Sequence, residues 1–135
     1  MASELTLSVV APDRLVLEET VQSVILPGSQ GYLGVMQGHE PTITSLKTGY
    51  LEYQDKNSQR HYVAVGGGFA EILPGKVSVL ADSADRRHEI DVAKAEAELE
   101  KARAAMRGDS TSMNREQAVL ELDKAMNLIK VAKMS

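Results

Sequence analysis

The sequence of 135 residues contains no cysteine, which excludes disulfide scaffolds, cysteine nucleophiles and thiolate metal sites. Aromatic residues are few: Tyr32, Tyr50, Tyr53, Tyr62 and Phe69, with none beyond position 69. No segment approaches the ~20 consecutive apolar residues that span a bilayer as a helix. Residues 1–10 carry Glu4 among alternating polar residues, so no secretory signal is expected there. Basic charge is not in excess, because 15 Lys and Arg face 19 Asp and Glu for a net charge of −4. Nucleic acid is therefore not an expected partner, since its recognition needs a basic stripe. Together these absences predict a soluble protein of a reducing compartment.

What is present is unevenly distributed. Hydrophobic residues make up 43% of the chain, enough to bury a core in one domain or in a small domain with an appendage. All four prolines (Pro12, Pro27, Pro41, Pro74) and nine of the ten glycines precede position 76. From Asp91 onward there are nine alanines, eight acidic and eight basic residues, one glycine and no proline. Residues 1–90 hold 7 basic and 11 acidic side chains, and 7 − 11 = −4 accounts for the whole net charge. The break predicts a β domain over 1–86 and a helical one over 87–135.

In the first part Leu5, Leu7 and Val9 alternate with Thr6, Ser8 and Val10, the period of a strand with one buried face. Val21 to Leu26 is a second β-branched run, stopped at Pro27-Gly28. Gly31, Gly34 and Gly38 punctuate a compact loop ending at Pro41. Residues 50–53 and 60–65 flank Asp55-Lys56-Asn57-Ser58 as a hairpin. Val77 and Val79 follow the Pro74-Gly75 turn. No helix-period segment interrupts these strands, so an all-β sandwich without a parallel sheet is expected.

In the second part Asp91 is a natural N-cap. Val92, Ala95, Leu99, Ala102 and Met106 form an apolar stripe that ends at Gly108. After a polar turn, with Ser112 or Asn114 as the next cap, Ala118, Leu122, Ala125, Ile129 and Ala132 form another stripe. Val119 and Met126 widen it, while Leu120, Leu128 and Val131 fall off the seam. The prediction is an antiparallel helical hairpin. A seam this rich in alanine has limited holding power, at roughly 0.8 kcal/mol per buried methylene. Such a hairpin needs a partner surface and could exchange one for another.

Catalytic motifs are absent. Gly75-Lys76 lacks both the first glycine and the Ser or Thr of a phosphate loop, and Gly66-Gly67-Gly68 continues into Glu71 with no helix behind it. That glycine run reads as a place where strands bend or approach closely. Neither His39-Glu40 nor His88-Glu89 is followed by histidine at metalloprotease spacing. His61 reads as a solvated strand residue. No Gly-x-Ser-x-Gly elbow occurs, and Glu18-Glu19 would point apart along a strand. Arg86 and Arg87 read as a solvated linker or an anion contact, and Lys94, Lys101 and Lys124 could converge across the hairpin.

Three segments carry a resemblance. LPGSQGYLGVMQGHEP (26–41), VGGGFAEI (65–72) and VSVLADSA (77–84), followed by the alanine-rich hairpin, resemble the epsilon subunit of the bacterial or plastid F-type ATP synthase over nearly the whole chain. The resemblance implies a β-sandwich plus helix-turn-helix that is non-catalytic by itself. Its implied partners are the gamma subunit, the ring of c subunits and the catalytic alpha and beta subunits, at the cytoplasmic face of the bacterial inner membrane.

By the same resemblance, Gly31, Tyr32, Leu33, Gly34 and His39 face gamma or the ring, with Tyr32 standing where many relatives have an acid. The hairpin is the regulatory element, folded or extended, and inhibits ATP hydrolysis. Arg115, Lys124, Lys130 and Lys133 are its implied contacts to beta. No cofactor is implied as required. A weak regulatory ATP contact is implied at Asp85, Ile90, Asp91, Lys94, Ala95, Lys101 and Lys124. Lys94 replaces the arginine of the Ile/Leu-Asp-x-x-Arg-Ala pattern, and Leu128 replaces another. A free-standing ATP-sensing protein, and a ligand-binding sandwich with a helical tag, are the alternative readings.

Overall fold

The computed structural model describes residues 4–109 and 113–134, and the chain divides into two compact units, 1–87 and 88–135. The first contains strands β1 (Leu5–Ala11), β2 (Arg14–Gly28), β3 (Gly31–Met36), β4 (Thr42–Asp55), β5 (Arg60–Leu73), β6 (Lys76–Ala81) and β7 (Ala84–Arg86). The second contains helices α1 (Val92–Met106) and α2 (Arg115–Ala132).

Five strands close on themselves. The hydrogen-bonded order β1-β6-β5-β4-β2 returns to β1 through a β1–β2 pairing, while β3 hangs on β2 and β7 on β5. Every neighbour in this ring is antiparallel except β1 and β6, where Thr6–Val10 run parallel to Lys76–Leu80. The expectation of no parallel sheet is therefore wrong. A ring with an odd number of strands cannot alternate direction throughout, so closure forces one parallel pair. The missing helix excludes a βαβ crossover, but this connection runs through the intervening strands instead.

The core is apolar. Leu7, Val9, Val21, Val24, Leu26, Leu51, Val63, Val65, Ile72, Val77 and Val79 are buried in it. Burying each such side chain contributes about 1.5–3 kcal/mol. β2 is longer than Val21–Leu26, and Gly31–Met36 is a strand rather than a loop. Gly31 sits at its start, in the tight turn after β2, with φ +130, while Gly34 lies within the strand opposite Ile25. β5 changes partners along its length: residues 63–65 face β7, and residues 68–73 face β6. Gly66-Gly67-Gly68 lies at that changeover.

In the second unit α1 and α2 pack on each other. Asp91 caps α1, its carboxylate accepting from the Lys94 amide at 3.1 Å, and Asn114 caps α2 by accepting from Gln117 at 2.8 Å. Ser112 lies outside the described residues. Gly108, at φ +82, closes α1 with its amide on the Ala105 carbonyl. Ala95, Ala102, Ala105, Ala118 and Ala125 are buried, and so is Val131, which the predicted stripe does not include. Val119 and Met126 do not widen the seam, because both are exposed.

Candidate functional site

The outer face of the sandwich is not uniformly polar. In β5 Phe69, Glu71 and Leu73 point outward between the buried Ala70 and Ile72. Register sets Phe69 beside Leu80 of β6, Leu80 beside Val10 of β1, and Val10 beside Leu15 of β2. The result is an apolar row crossing four strands. Ile43 lies alongside, opposite Glu71. Leu15, Ile43, Phe69 and Leu80 are 58%, 75%, 60% and 61% exposed. Together such side chains expose on the order of 500 Å², near the top of what a free-standing protein leaves uncovered. The sequence signal for this row is apolar residues out of phase with the buried ones, as in Val77, Val79, Leu80 and Ala81.

The candidate ring-facing residues lie on β3 and in the loop after it. Gly31, Tyr32 and Gly34 are exposed, whereas Leu33 packs against the core. The Tyr32 ring stacks on Tyr50 at 4.6 Å, and Tyr50 meets Tyr62 edge-on at 6.2 Å. Lys47 sits 5.7 Å over Tyr32 and Arg87 5.5 Å over Tyr62, so a cation closes each end of the ladder. Burial first, then the neighbouring phenols and Glu52, raise the Tyr50 pKa. The half-buried His39 turns Nδ1 to the Glu40 carbonyl at 2.7 Å.

A polar network lies on the flank of the sandwich. The Tyr53 hydroxyl donates to Glu19 at 2.8 Å, and Arg86 approaches Glu19 at 3.6 Å. Burial, and then that bond to Glu19, push the Tyr53 phenol well above its usual range. His61 stacks on Tyr53 at 4.8 Å and bonds Asp55 at 2.8 Å, so it is not merely a solvated strand residue. That bond, with help from the Gln59 and Asn57 amides, holds the Asp55 carboxyl below the ordinary carboxylate range.

The nucleotide candidates fall in both units. Asp85, in the first, faces Arg14 at 4.0 Å. In the second, Ile90 precedes the cap residue Asp91, Ala95 is buried, and Lys94 and Lys101 are exposed. Glu98, Lys101, Met113, Gln117 and Glu121 line a groove of about 220 Å³ between the helices. Helical spacing sets Lys94 one turn before Glu98, and Lys124 about one turn after Glu121, on the same faces. Two carboxylates thus stand among three lysines, which weakens the pull on a phosphate.

The same periodicity separates the candidate beta contacts. Arg115, Lys130 and Lys133 share one exposed face of α2 with Val119 and Met126, whereas Lys124 lies on the opposite face. Among the described residues no cluster of acids or histidines could hold a metal ion, and no helix is long and apolar enough to cross a membrane.

A closed sandwich with an apolar outer row, joined to an alanine-seamed hairpin, is the architecture of one subunit of a larger assembly. Two family models match in tandem: the ATP synthase delta/epsilon chain β-sandwich domain over residues 4–87, and the delta/epsilon chain long α-helix domain over residues 88–133. The chain belongs to the ATP synthase delta/epsilon family, and within it to the epsilon chains of the F-type enzyme. It is 42% identical to the ATP synthase epsilon chain of Desulfatibacillum aliphaticivorans over 114 residues, 84% of this chain and 81% of that one. With the epsilon chain of Moorella thermoacetica it shares 40% identity over 132 residues, 98% of each chain. Its fold also matches a chain in the Euglena gracilis mitochondrial ATP synthase structure of OSCP, F1 and c-ring. That match has a TM-score of 0.80 at 28% identity, over 95% of this chain and 81% of that one. As an epsilon chain it is one subunit of a membrane-associated complex.

Proposed function

We propose that the chain has no catalysis of its own and works in the central stalk, held by gamma and the c-subunit ring at the cytoplasmic face of a bacterial membrane. Proton-driven ring rotation passes through this assembly to the alpha and beta subunits that make ATP. The hairpin restrains hydrolysis by leaving its folded packing and extending toward beta. The observation that carries this reading is the apolar row Leu15, Val10, Leu80 and Phe69, which a subunit has reason to expose and a free sensor does not. The all-alanine buried positions of α1 support a movable hairpin, since a weak seam leaves two packings within a few kcal/mol. On α2, Arg115, Lys130 and Lys133 suit an acidic surface of beta. Deleting residues 91–135 should raise ATP hydrolysis by the assembled enzyme severalfold. An unchanged rate would remove the hairpin's regulatory role.

No cofactor is required in this role. ATP binding at Asp91, Lys94, Lys101 and Lys124 should be weak, because lysine lacks the planar fork that grips phosphate in two places. Calorimetric titration of the subunit with Mg-free ATP should give a dissociation constant of about 1 mM, and Lys94→Arg should tighten it roughly tenfold. Absence of heat with both proteins would eliminate the site.

A further inference from the structure

We infer that β7 is a clamp fixing the root of the hairpin, and that Arg14, Arg86 and Arg87 are positioning residues for the hairpin's restraint of hydrolysis. This rests on the reading of the hairpin as that restraint. β7 has only three residues and, among the described residues, pairs with β5 alone, setting Ala84 beside Val65, Asp85 beside Ala64 and Arg86 beside Val63. Three residues of edge pairing hold a strand poorly. Each residue is instead gripped separately. The Arg14 guanidinium donates to the Ala84 carbonyl at 3.1 Å and faces Asp85. Arg86 faces Glu19 at 3.6 Å and donates to the Tyr53 hydroxyl at 3.5 Å. Arg87 lies over the Tyr62 ring. The approach to β7 is pinned too, with the Gly66 amide on the Ser83 carbonyl at 2.8 Å and the Asp82 amide on the Gly67 carbonyl at 3.0 Å. Arg86 and Arg87 are therefore not a solvated linker.

The consequence is a short tether. With the clamp closed through Arg87, four residues (88–91) lead to α1; with it open back to Ser83, whose carbonyl the Gly66 amide still holds, eight residues (84–91) do. Four more residues add up to about 14 Å of reach. Doubling a flexible tether lowers the effective concentration of what it carries roughly threefold, following the −3/2 power of its length. A hairpin on the longer tether searches a larger volume and reaches its inhibitory seat less often.

The test uses the whole enzyme carrying the triple variant Arg14→Ala/Arg86→Ala/Arg87→Ala in the full-length chain. Amide exchange at residues 84–86 should rise sharply. Hydrolysis should become about threefold less inhibited, the amount of the subunit in the purified complex should not change, and Arg86→Lys in place of Arg86→Ala should restore part of the restraint. Exchange that stays slow overturns the clamp. Fast exchange with hydrolysis at the wild-type level overturns the positioning role, provided that deleting 91–135 does raise hydrolysis. If that deletion changes nothing, the regulatory reading of the hairpin fails and takes the positioning role with it, while the exchange rates still decide whether β7 is clamped.

Discussion

Gly68→Ala should destabilise the sandwich by about 3 kcal/mol or more, and this is the largest single-residue effect expected in the first unit. Two independent costs coincide there. The backbone sits at φ +132, a conformation that residues with a Cβ rarely adopt. A Cβ built on it would also fall 2.2 Å from the Leu80 carbonyl oxygen and 2.8 Å from the Ala81 Cα. Both obstacles are backbone atoms of β6, the strand paired with this end of β5, so neither can swing aside like a side chain. Relief requires moving β6 away from β5 and opening the ring. Against a total stability of about 5–15 kcal/mol, a loss of this size is a large share. The urea midpoint of the isolated subunit should fall accordingly. Gly34→Ala, where nothing stands within 4 Å and φ is ordinary, should stay within about 0.5 kcal/mol. Equal midpoints for the two variants would contradict the strain argument.

Gly68 also marks the boundary between what the sequence reveals and what it conceals. Local chemistry is legible. The alternation of Leu5, Leu7 and Val9 predicts a one-sided strand because its cause, one buried face, acts within seven residues. Asp91 is readable as a cap because its partner, the Lys94 amide, is three residues away. The glycine triplet reads as a bend for the same reason. Non-local closure is not legible. The parallel β1–β6 pair follows from ring parity, which no strand declares by itself. Arg86 looks like a linker because Glu19 and Tyr53 are distant in the chain. β3 looks like a loop because glycine is a poor strand former, yet pairing with β2 overrides that preference.

Of the candidate site residues, Lys94, Lys101 and Lys124 are legible in the sequence as side chains that could converge across the hairpin. Lys124 is implied both for the nucleotide and for beta, and helical periodicity sets it on the face opposite Arg115, Lys130 and Lys133. The apolar row is not legible in the sequence because alternation marks only the in-phase residues as significant, and Leu80 and Phe69 are the out-of-phase ones.

That row carries the second large effect. Phe69→Glu combined with Leu80→Lys should abolish stable retention of the subunit in the enzyme while sparing its own fold. Both side chains are exposed and alternate with the buried Ala70 and Val79, so their loss leaves the core intact. They are direct cross-strand neighbours, and an opposite-charge pair there is mildly favourable, on the order of 0.2–1 kcal/mol. The unfolding midpoint of the free subunit should therefore move little. At a covered interface the same pair would be a desolvated charge cluster facing apolar partner surface, where a central anchor residue is worth about 2–4 kcal/mol when truncated alone. Two such losses plus the cost of burying charge should weaken retention a hundredfold or more. The measurement is the ratio of this subunit to beta in the purified complex, set beside the unfolding curve of the free subunit. A normal ratio would mean that Phe69 and Leu80 face water in the assembled enzyme, and the docking role of this sheet face would fall. A depleted ratio with a normal unfolding curve locates the defect in docking, since the subunit then folds yet is not held.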